Sequence, residues 1–289
     1  MPEGDTLWRT ARRLNSALAG ETLERADLRW GNLDGAVLRA DVTTEVVARG
    51  KHILHRTAGG WTLHSHLRME GQWRVAALGS SAEAAALRRH TLRAAVGTSQ
   101  WTALGLRLGM LDLVRTDQEH RLVGHLGPDV LGPDWDAAQA AANLAAAGAA
   151  ASELTIAAAL LDQRLLAGVG TYWASEALFI LRIHPWRPVS EIDADTLLTL
   201  TTRIHTLMSR GARNAIQSST GLFQPGATSY VHGRSGRPCR RCGTTVRVAM
   251  AGQAPRERTI FSCPTCQGGL APTDDGRPQR PLGSSPRRS

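Results

Sequence analysis

The chain has 289 residues and a formal net charge of +9, with a sequence pI near 10.7. Its length allows two ordinary domains. No apolar run reaches membrane-spanning length, and Glu3, Asp5, Arg9, Arg12 and Arg13 occupy the place of a secretory apolar segment, so the reading is a cytosolic protein. Lys51 is the only lysine. Arginine therefore carries nearly all the positive charge, which favours a polyanionic partner, nucleic acid first, although a GC-rich genome also enriches arginine.

The chain opens MPEGDT. Removal of Met1 would leave Pro2 as a secondary amine beside Glu3, and read alone Pro-Glu is simply favourable chemistry for a helix start. From Thr6, the spacing of Leu7, Ala11, Leu14 and Leu18 predicts a helix with one buried face, stopped at Gly20. Between Gly20 and Leu126 the texture changes to short apolar runs: EVVARGKHILHRT, WTLHSHLRMEGQWRV, HTLRAAVG and SQWTALGLRLGMLDLV. These predict the strands of a β-sandwich or barrel. Lys51 reads blandly as a solvated strand residue, yet a lone lysine in an arginine chain offers a point charge with an adaptable pKa. His64 and His66 share one strand face and suggest a metal pair, a reading weakened by the lack of a third ligand at suitable spacing.

HLGPDVLGPDWD marks a boundary, with Asp136 placed to cap the next helical stretch. The alanine-rich stretch to Ala151 reads as a helical linker. Ser152 is a candidate cap for a helix through LTIAAALLDQ, and beyond the turn RLLAGVG come helices in TYWASEALFILR and EIDADTLLTLTTRIHTLMSRGARNAI. Helices following strands argue for an α+β chain with segregated domains. Gly168 and Gly170 would let backbone approach a phosphate at the start of the helix from Thr171. Any pair of hairpinned helices also needs glycine there.

All four cysteines lie in CRRC, a twenty-residue interval, and CPTC. Two C-x-x-C turns separated by short β-like runs predict one closed tetrahedral Zn2+ site on Cys239, Cys242, Cys263 and Cys266. A redox dithiol would need only one pair. Arg234, Arg237, Arg240, Arg241 and Arg247 surround the first pair, as suits a DNA groove, although many zinc ribbons only cap a fold. The last stretch, GLAPTDDGRPQRPLGSSPRRS, has the composition of a disordered basic tail.

MPEG, RGKHIL, HLRMEGQW, LGPDVL, LLDQRLLAGVG and the CRRC/CPTC finger occur in the order found in the formamidopyrimidine-DNA glycosylase and endonuclease VIII family. Over residues 1 to 267 the chain resembles the bacterial endonuclease VIII branch. The resemblance implies an N-terminal helix and catalytic β-sandwich (1–126), a helix-two-turn-helix domain (127–228) and a zinc finger (229–267), before the tail (268–289). It implies a bifunctional glycosylase and AP lyase acting on duplex DNA with oxidised bases or abasic sites, cytoplasmic and nucleoid-associated; a monomer is the default expectation. Pro2 would be the Schiff-base nucleophile, Glu3 the proton donor, Lys51 the lysine of β-elimination, and Arg258 the finger arginine of δ-elimination. Met69 would be the wedge filling the hole left by the flipped base, with Arg68 facing the strand; methionine at such a place is otherwise core. His125, Gly168, Gly170, Thr171 and Arg234 would complete the DNA contacts.

The chain departs from the family's pattern in four places. PEGDT replaces PEGPE or PELPE, removing the second glutamate; Thr171 stands for asparagine; His125 stands for arginine; and LGLRLGMLDL replaces the DPRRFG-like loop. The last favours oxidised pyrimidines over 8-oxoguanine. A damaged-DNA binding protein without catalysis is the alternative, opposed by the joint presence of Pro2, Glu3, Lys51 and Arg258. A purely structural nucleic-acid protein would leave the N-terminal match unexplained.

Overall fold

The computed structural model describes residues 2–255 and 257–279. The chain divides into two compact units, Met1–Leu126 and Gly127–Ser289.

The first unit begins with α1 (Gly4–Leu18), whose buried residues include the predicted Leu7, Ala11, Leu14 and Leu18. Glu3 is its N-cap, and the Glu3 carbonyl accepts from the amides of Thr6 and Leu7. The strands are β1 (Arg25–Leu28), β2 (Thr43–Arg49), β3 (His52–Thr57), β4 (Trp61–His66), β5 (Gln72–Ala77), β6 (Leu92–Gly97), β7 (Trp101–Leu106) and β8 (Met110–Arg115). They form two four-stranded antiparallel sheets, ordered β1-β6-β7-β5 and β2-β3-β4-β8. One core cluster joins the buried face of α1 to Val46, Ile53, Leu63 and Leu111 of one sheet and to Ala26, Trp73, Val96 and Ala103 of the other. The Trp73 indole N–H donates to Ser65 Oγ at 3.0 Å, so this large side chain buries its ring while its polar atom keeps a partner. A short helix not anticipated from the sequence, α2 (Ser81–Leu87), is capped by Ser80 and covers a second apolar cluster with Ala86. The single turn α3 (His120–Val123) follows β8.

In the second unit α4 (Ala137–Ala150) is capped by Asp136, whose carboxylate accepts from the amides of Ala138 and Gln139. It is a core element and not a linker: Ala140, Ala141, Leu144 and Gly148 are buried, the first three in the unit's main cluster with Leu200, Ile204 and Met208 of α7 (Ala194–Ala212). Its alanines are the flat surface that close helix packing needs. Gly148 has no room to spare, because a Cβ there would meet the Val189 side chain at 2.8 Å. The cap of α5 (Ile156–Leu161) is Thr155 and not Ser152, since Thr155 Oγ1 reaches the Ala158 amide. α6 (Thr171–Ile180) is buried on nearly every side. The ribbon consists of the antiparallel pair β9 (Arg247–Ala251) and β10 (Arg258–Ser262), followed by α8 (Pro264–Gln267).

The first part of the stretch expected to be disordered is held in place. Asp274 pairs with the buried Arg247 guanidinium, and the Gln279 carboxamide bonds both the amide and the carbonyl of Val248. Two polar anchors outweigh a loop-like composition here. Residues 280–289, the rest of the expected tail, lie outside the described residues.

Candidate functional site

The N-terminus of α1 opens on a cavity of about 470 Å³ lined by Pro2, Thr6, Thr10 and Arg13 on one side and by Met69, Glu70, Gln72 and Trp73 on the other. Arg13 ties the two walls, donating to the Trp73 carbonyl at 2.7 Å; further along α1, outside the cavity, Asn15 Oδ1 accepts from the Val46 amide at 2.7 Å. Glu3 and Asp5 are fully buried. Acidic groups at the first turn of a helix face its positive end. Met69 is 65 % exposed, in the turn between β4 and β5, so it is not core. Arg68 beside it holds a left-handed φ of 52° and is exposed. Pro2 and Met69, far apart in sequence, thus share one cavity.

Lys51 lies in the two-residue turn that joins β2 to β3, not in a strand; Gly50 takes the first position of that turn with φ 59°. Next to it a histidine cluster forms across three strands. His64 and Asp112 are cross-strand partners on β4 and β8, and His52 pairs with His66 across β3 and β4, so all four side chains fall on one face. His64 is 1 % exposed. Its Nδ1 lies 2.8 Å from Asp112 Oδ2 and its Nε2 lies 2.7 Å from His52 Nδ1. His66 Nδ1 accepts from the Arg68 amide at 2.9 Å. The metal-pair reading of His64 and His66 fails on this geometry, because both His64 nitrogens and the His66 Nδ1 are already engaged. Burial pushes His52 down to about 3, helped by His66, His64, His125 and Lys51, and it pushes His66 down to about 4, helped by Lys51, His64 and Arg68. Both rings are neutral at physiological pH. His125 itself is exposed.

In the second unit the turn before α6 is shaped by Gln163. Its carboxamide accepts from the Gly168 amide at 3.0 Å and donates to the Val169 carbonyl at 2.9 Å, while Gly168 adopts φ 97°. Gly170 is the N-cap of α6 and offers no side-chain cap. Thr171 is only 3 % exposed.

Glu176, fully buried on α6, accepts from the amides of Tyr230 (2.8 Å), Val231 (2.9 Å) and His232 (2.7 Å) and from Ser219 Oγ. Burial pushes its carboxyl upward, against the pull of these donors. Next to it, Tyr172 Oη accepts from the Ser219 amide at 3.0 Å and donates to the Thr228 carbonyl at 2.8 Å. The tip enclosed by these bonds exposes Leu222 and Phe223.

The four cysteines converge, with all Sγ atoms within 4.8 Å of one another. The Cys239–Cys266 and Cys242–Cys263 sulfur separations are 4.0 and 3.5 Å. They bracket the edge of about 3.8 Å that four bonds of about 2.3 Å to a tetrahedral zinc would require. Hydrogen bonds from Thr244 bring the Cys242 thiol down to about 6, whereas burial raises Cys266. Several of the surrounding arginines have structural partners. Arg247 pairs with Asp274, Arg241 stacks over the Phe179 ring at 4.3 Å, and Arg234 donates to the Pro238 carbonyl at 2.8 Å. Arg258 is exposed at the start of β10.

Two family models match the sequence: the formamidopyrimidine-DNA glycosylase N-terminal domain over residues 1–108 and the formamidopyrimidine-DNA glycosylase H2TH domain over residues 131–221. A probable endonuclease 8 2 of Streptomyces coelicolor is 46% identical over 288 residues, spanning 100% of both chains. The chain belongs to the formamidopyrimidine-DNA glycosylase and endonuclease VIII family. A DNA-(apurinic or apyrimidinic site) lyase of Mycolicibacterium smegmatis is 39% identical over 92% of this chain and 99% of its own. Among solved structures, Lactococcus lactis formamidopyrimidine DNA glycosylase bound to DNA containing an AP site has the same fold, with a TM-score of 0.75 at 22% identity over 92% of this chain and 99% of that one.

Within this family frame the sequence-predicted residues fall into two sets. Pro2, Glu3, Lys51, Arg68, Met69 and His125 belong to the first unit, and Gly168, Gly170, Thr171, Arg234, Arg258 and the cysteines to the second. Three contributors escape a reading of the sequence. Gln163 sits inside LLDQRLLAGVG and carries no separate signal. Glu176 is the lone charge in an otherwise apolar helix, which is the signature of a buried, satisfied carboxylate. Asp112 reads as an ordinary alternating strand residue, and only the register across from His64 gives it a partner.

Proposed function

We propose that the protein is a bifunctional DNA glycosylase and AP lyase that removes oxidised bases, pyrimidines in preference, from duplex DNA by a Schiff base on Pro2. The observation that carries the reading is the shared cavity of Pro2 and Met69 at the N-terminus of α1, in a family member matched end to end. It would require that Met1 be removed. An unperturbed α-amino group titrates at about 7.7 to 8.0 against about 10.4 for lysine, so much more of it is a neutral nucleophile at neutral pH.

The amine lone pair of Pro2 attacks C1′ as the C1′–N bond to the base breaks and the amine proton is lost; the nitrogen lone pair then expels the ring oxygen, breaking C1′–O4′ as Glu3 gives its proton to O4′, and the Pro2–C1′ iminium results. A secondary amine with a carbon substituent added has no N–H left once the iminium forms, so the intermediate stays cationic and withdraws electrons. The C2′ proton leaves, its bonding pair forms the C1′–C2′ double bond of the enamine, and subsequent expulsion of the 3′ phosphate breaks the C3′–O bond. Lys51 would assist that loss as a cation beside the leaving phosphate. A second elimination at the 5′ side, with Arg258 on the phosphates, gives the β,δ product. Met69 would occupy the gap in the stack, and Arg68, His125, Arg234 and the Gly168 to Thr171 turn would contact the backbone. Zn2+ held by the four cysteines would supply a structural cross-link in the ribbon and no chemistry in these steps. Chromosomal DNA as substrate fits a monomer in the bacterial cytoplasm, at the nucleoid.

Borohydride reduction on a duplex with one abasic site tests this reading. Protein whose N-terminus is verified as Pro2 should form a covalent adduct, and Pro2→Gly should abolish it or reduce it strongly. Native protein that binds the duplex but neither traps nor nicks it would favour the non-catalytic binding protein instead.

A further inference from the structure

Residues 268–279 lie beyond the part of the chain that carries the family resemblance, yet they are fastened at both ends. Just before them, Gln267 is 2 % exposed, and its carboxamide accepts from the Cys263 amide at 2.9 Å and donates to the Ile183 carbonyl at 2.9 Å. His184 Nε2 donates to the Leu270 carbonyl at 3.2 Å, and Ala271 is buried. From there the segment crosses to the other arm of the ribbon. The Asp274 carboxylate accepts from Arg247 Nε at 2.7 Å, and the Gln279 carboxamide accepts from the Val248 amide at 2.8 Å and donates to the Val248 carbonyl at 3.0 Å. Both backbone groups of Val248 therefore face away from its β10 partner Phe261, whose own amide donates to Ser175 Oγ of α6 at 3.2 Å. Each outer edge of the ribbon is thus covered at this point, β10 by α6 and β9 by the chain that follows α8.

Cys239 and Cys242 lie on the arm leading into β9, and Cys263 and Cys266 on the arm leaving β10, so zinc would join the two arms. Residues 268–279 join the same arms a second time, from α8 back to β9. The Arg247 they hold is paired in register with Ser262, next to Cys263. A chelator empties such a site only as every thiolate comes free. Cys242 is exposed, but Cys239 and Cys263 are buried, so complete removal requires the arms to part. Local opening of this kind costs the interactions it breaks. We propose that residues 268–279 are a strap that retains zinc, raising the barrier to the ribbon opening through which the ion leaves by tying β9 to the end of α8. The proposal rests on the zinc reading of the four cysteines and is independent of the chemistry at Pro2. Chelation still empties the site at equilibrium; the strap sets how fast.

The test mixes full-length, zinc-loaded protein with excess 4-(2-pyridylazo)resorcinol at neutral pH and follows the coloured complex as zinc is released. The double variant Asp274→Ala, Gln279→Ala should release zinc about tenfold faster than wild type, a lowering of the barrier by about 1.4 kcal/mol. Arg277→Ala, which breaks only the exposed pair with Asp275, should stay within about twofold. A double variant that also stays within about twofold of wild type overturns the strap. Should the double variant purify without zinc, Gln279→Ala decides in its place, with release about threefold faster expected for the loss of its hydrogen bonds and a wild-type rate overturning the proposal. Wild-type protein that holds no zinc sinks the metal reading and the strap with it, while borohydride trapping on Pro2 reports on the proposed function separately.

Discussion

Thr6 stands on the cavity wall near Pro2, at the place where the family's usual opening has a second glutamate. A hydroxyl there removes a negative charge from a pocket that already contains Arg13 and Arg74. Thr6→Glu should therefore favour the base richer in N–H donors, raising cleavage of 8-oxoguanine, with its N1–H, N7–H and 2-amino group, relative to thymine glycol, with N3–H alone, by about tenfold, the worth of one hydrogen bond. Competition between the two lesions in one duplex mixture measures it, and an unchanged ratio removes Thr6 from specificity. At this scale the sequence is legible where a residue type is rare. The single lysine and the four cysteines stand out without any structure. Asp112 and Gln163 do not, because their roles come from the register of β8 against β4 and from the fold of one turn, and neither leaves a local pattern.

Among elements, the ribbon is pinned from outside. Arg247 and Asp274 are 8% and 1% exposed, and the guanidinium holds the Asp274 carboxyl below its ordinary value. A depressed carboxylate stabilises the fold above its unfolded pKa of about 3.9, and that contribution is lost only as the pH falls below it. Asp274→Asn should cost the ribbon about 2 kcal/mol at neutral pH, the scale of hydrogen bonds to a charged group. Denaturant melts followed through the four-cysteine site would read it, and a loss under about 0.5 kcal/mol, the range of an ordinary surface change, would argue against the pin. Elements with a strict period are readable in advance: α1 by its 4-3-4 spacing, the strands by their short apolar runs. α4 reads as a linker because alanine declares no face; only the packing of Leu144 and Gly148 against neighbours defines one. α2 escapes notice because it has seven residues amid strands.

For the whole molecule, two treatments should separate the two units. Chelation at neutral pH should remove the cross-link at the four cysteines, unfold the ribbon and abolish DNA binding, while the strand signal in far-ultraviolet circular dichroism is largely retained. Simultaneous loss of both would mean that the first unit depends on the metal. Acid should act in the opposite order. His52 is lowered to about 3 and both His55 and His66 to about 4, chiefly by burial, so the unfolded chain binds protons more readily than the folded one. Their contribution is complete above the unfolded value of about 6.5 and is lost as the pH falls from there toward 4. The melting temperature of the first unit should drop over that window, and a flat profile between pH 7 and 4.5 would contradict the burial of these rings. The α+β class and the family are legible because several motifs occur in a fixed order, whereas cavities and buried networks are properties of closure and emerge only in three dimensions.

Glu176 and Tyr172 tie residues 219 and 228–232 to one helix, and the segment between them reaches outward to Leu222 and Phe223. Mechanically this is a clamped cantilever. The root is not its only hold, because Arg240, inside the first C-x-x-C pair, donates to the Gly226 carbonyl, so a bend of the tip is transmitted to the four-cysteine site as well as to the helix.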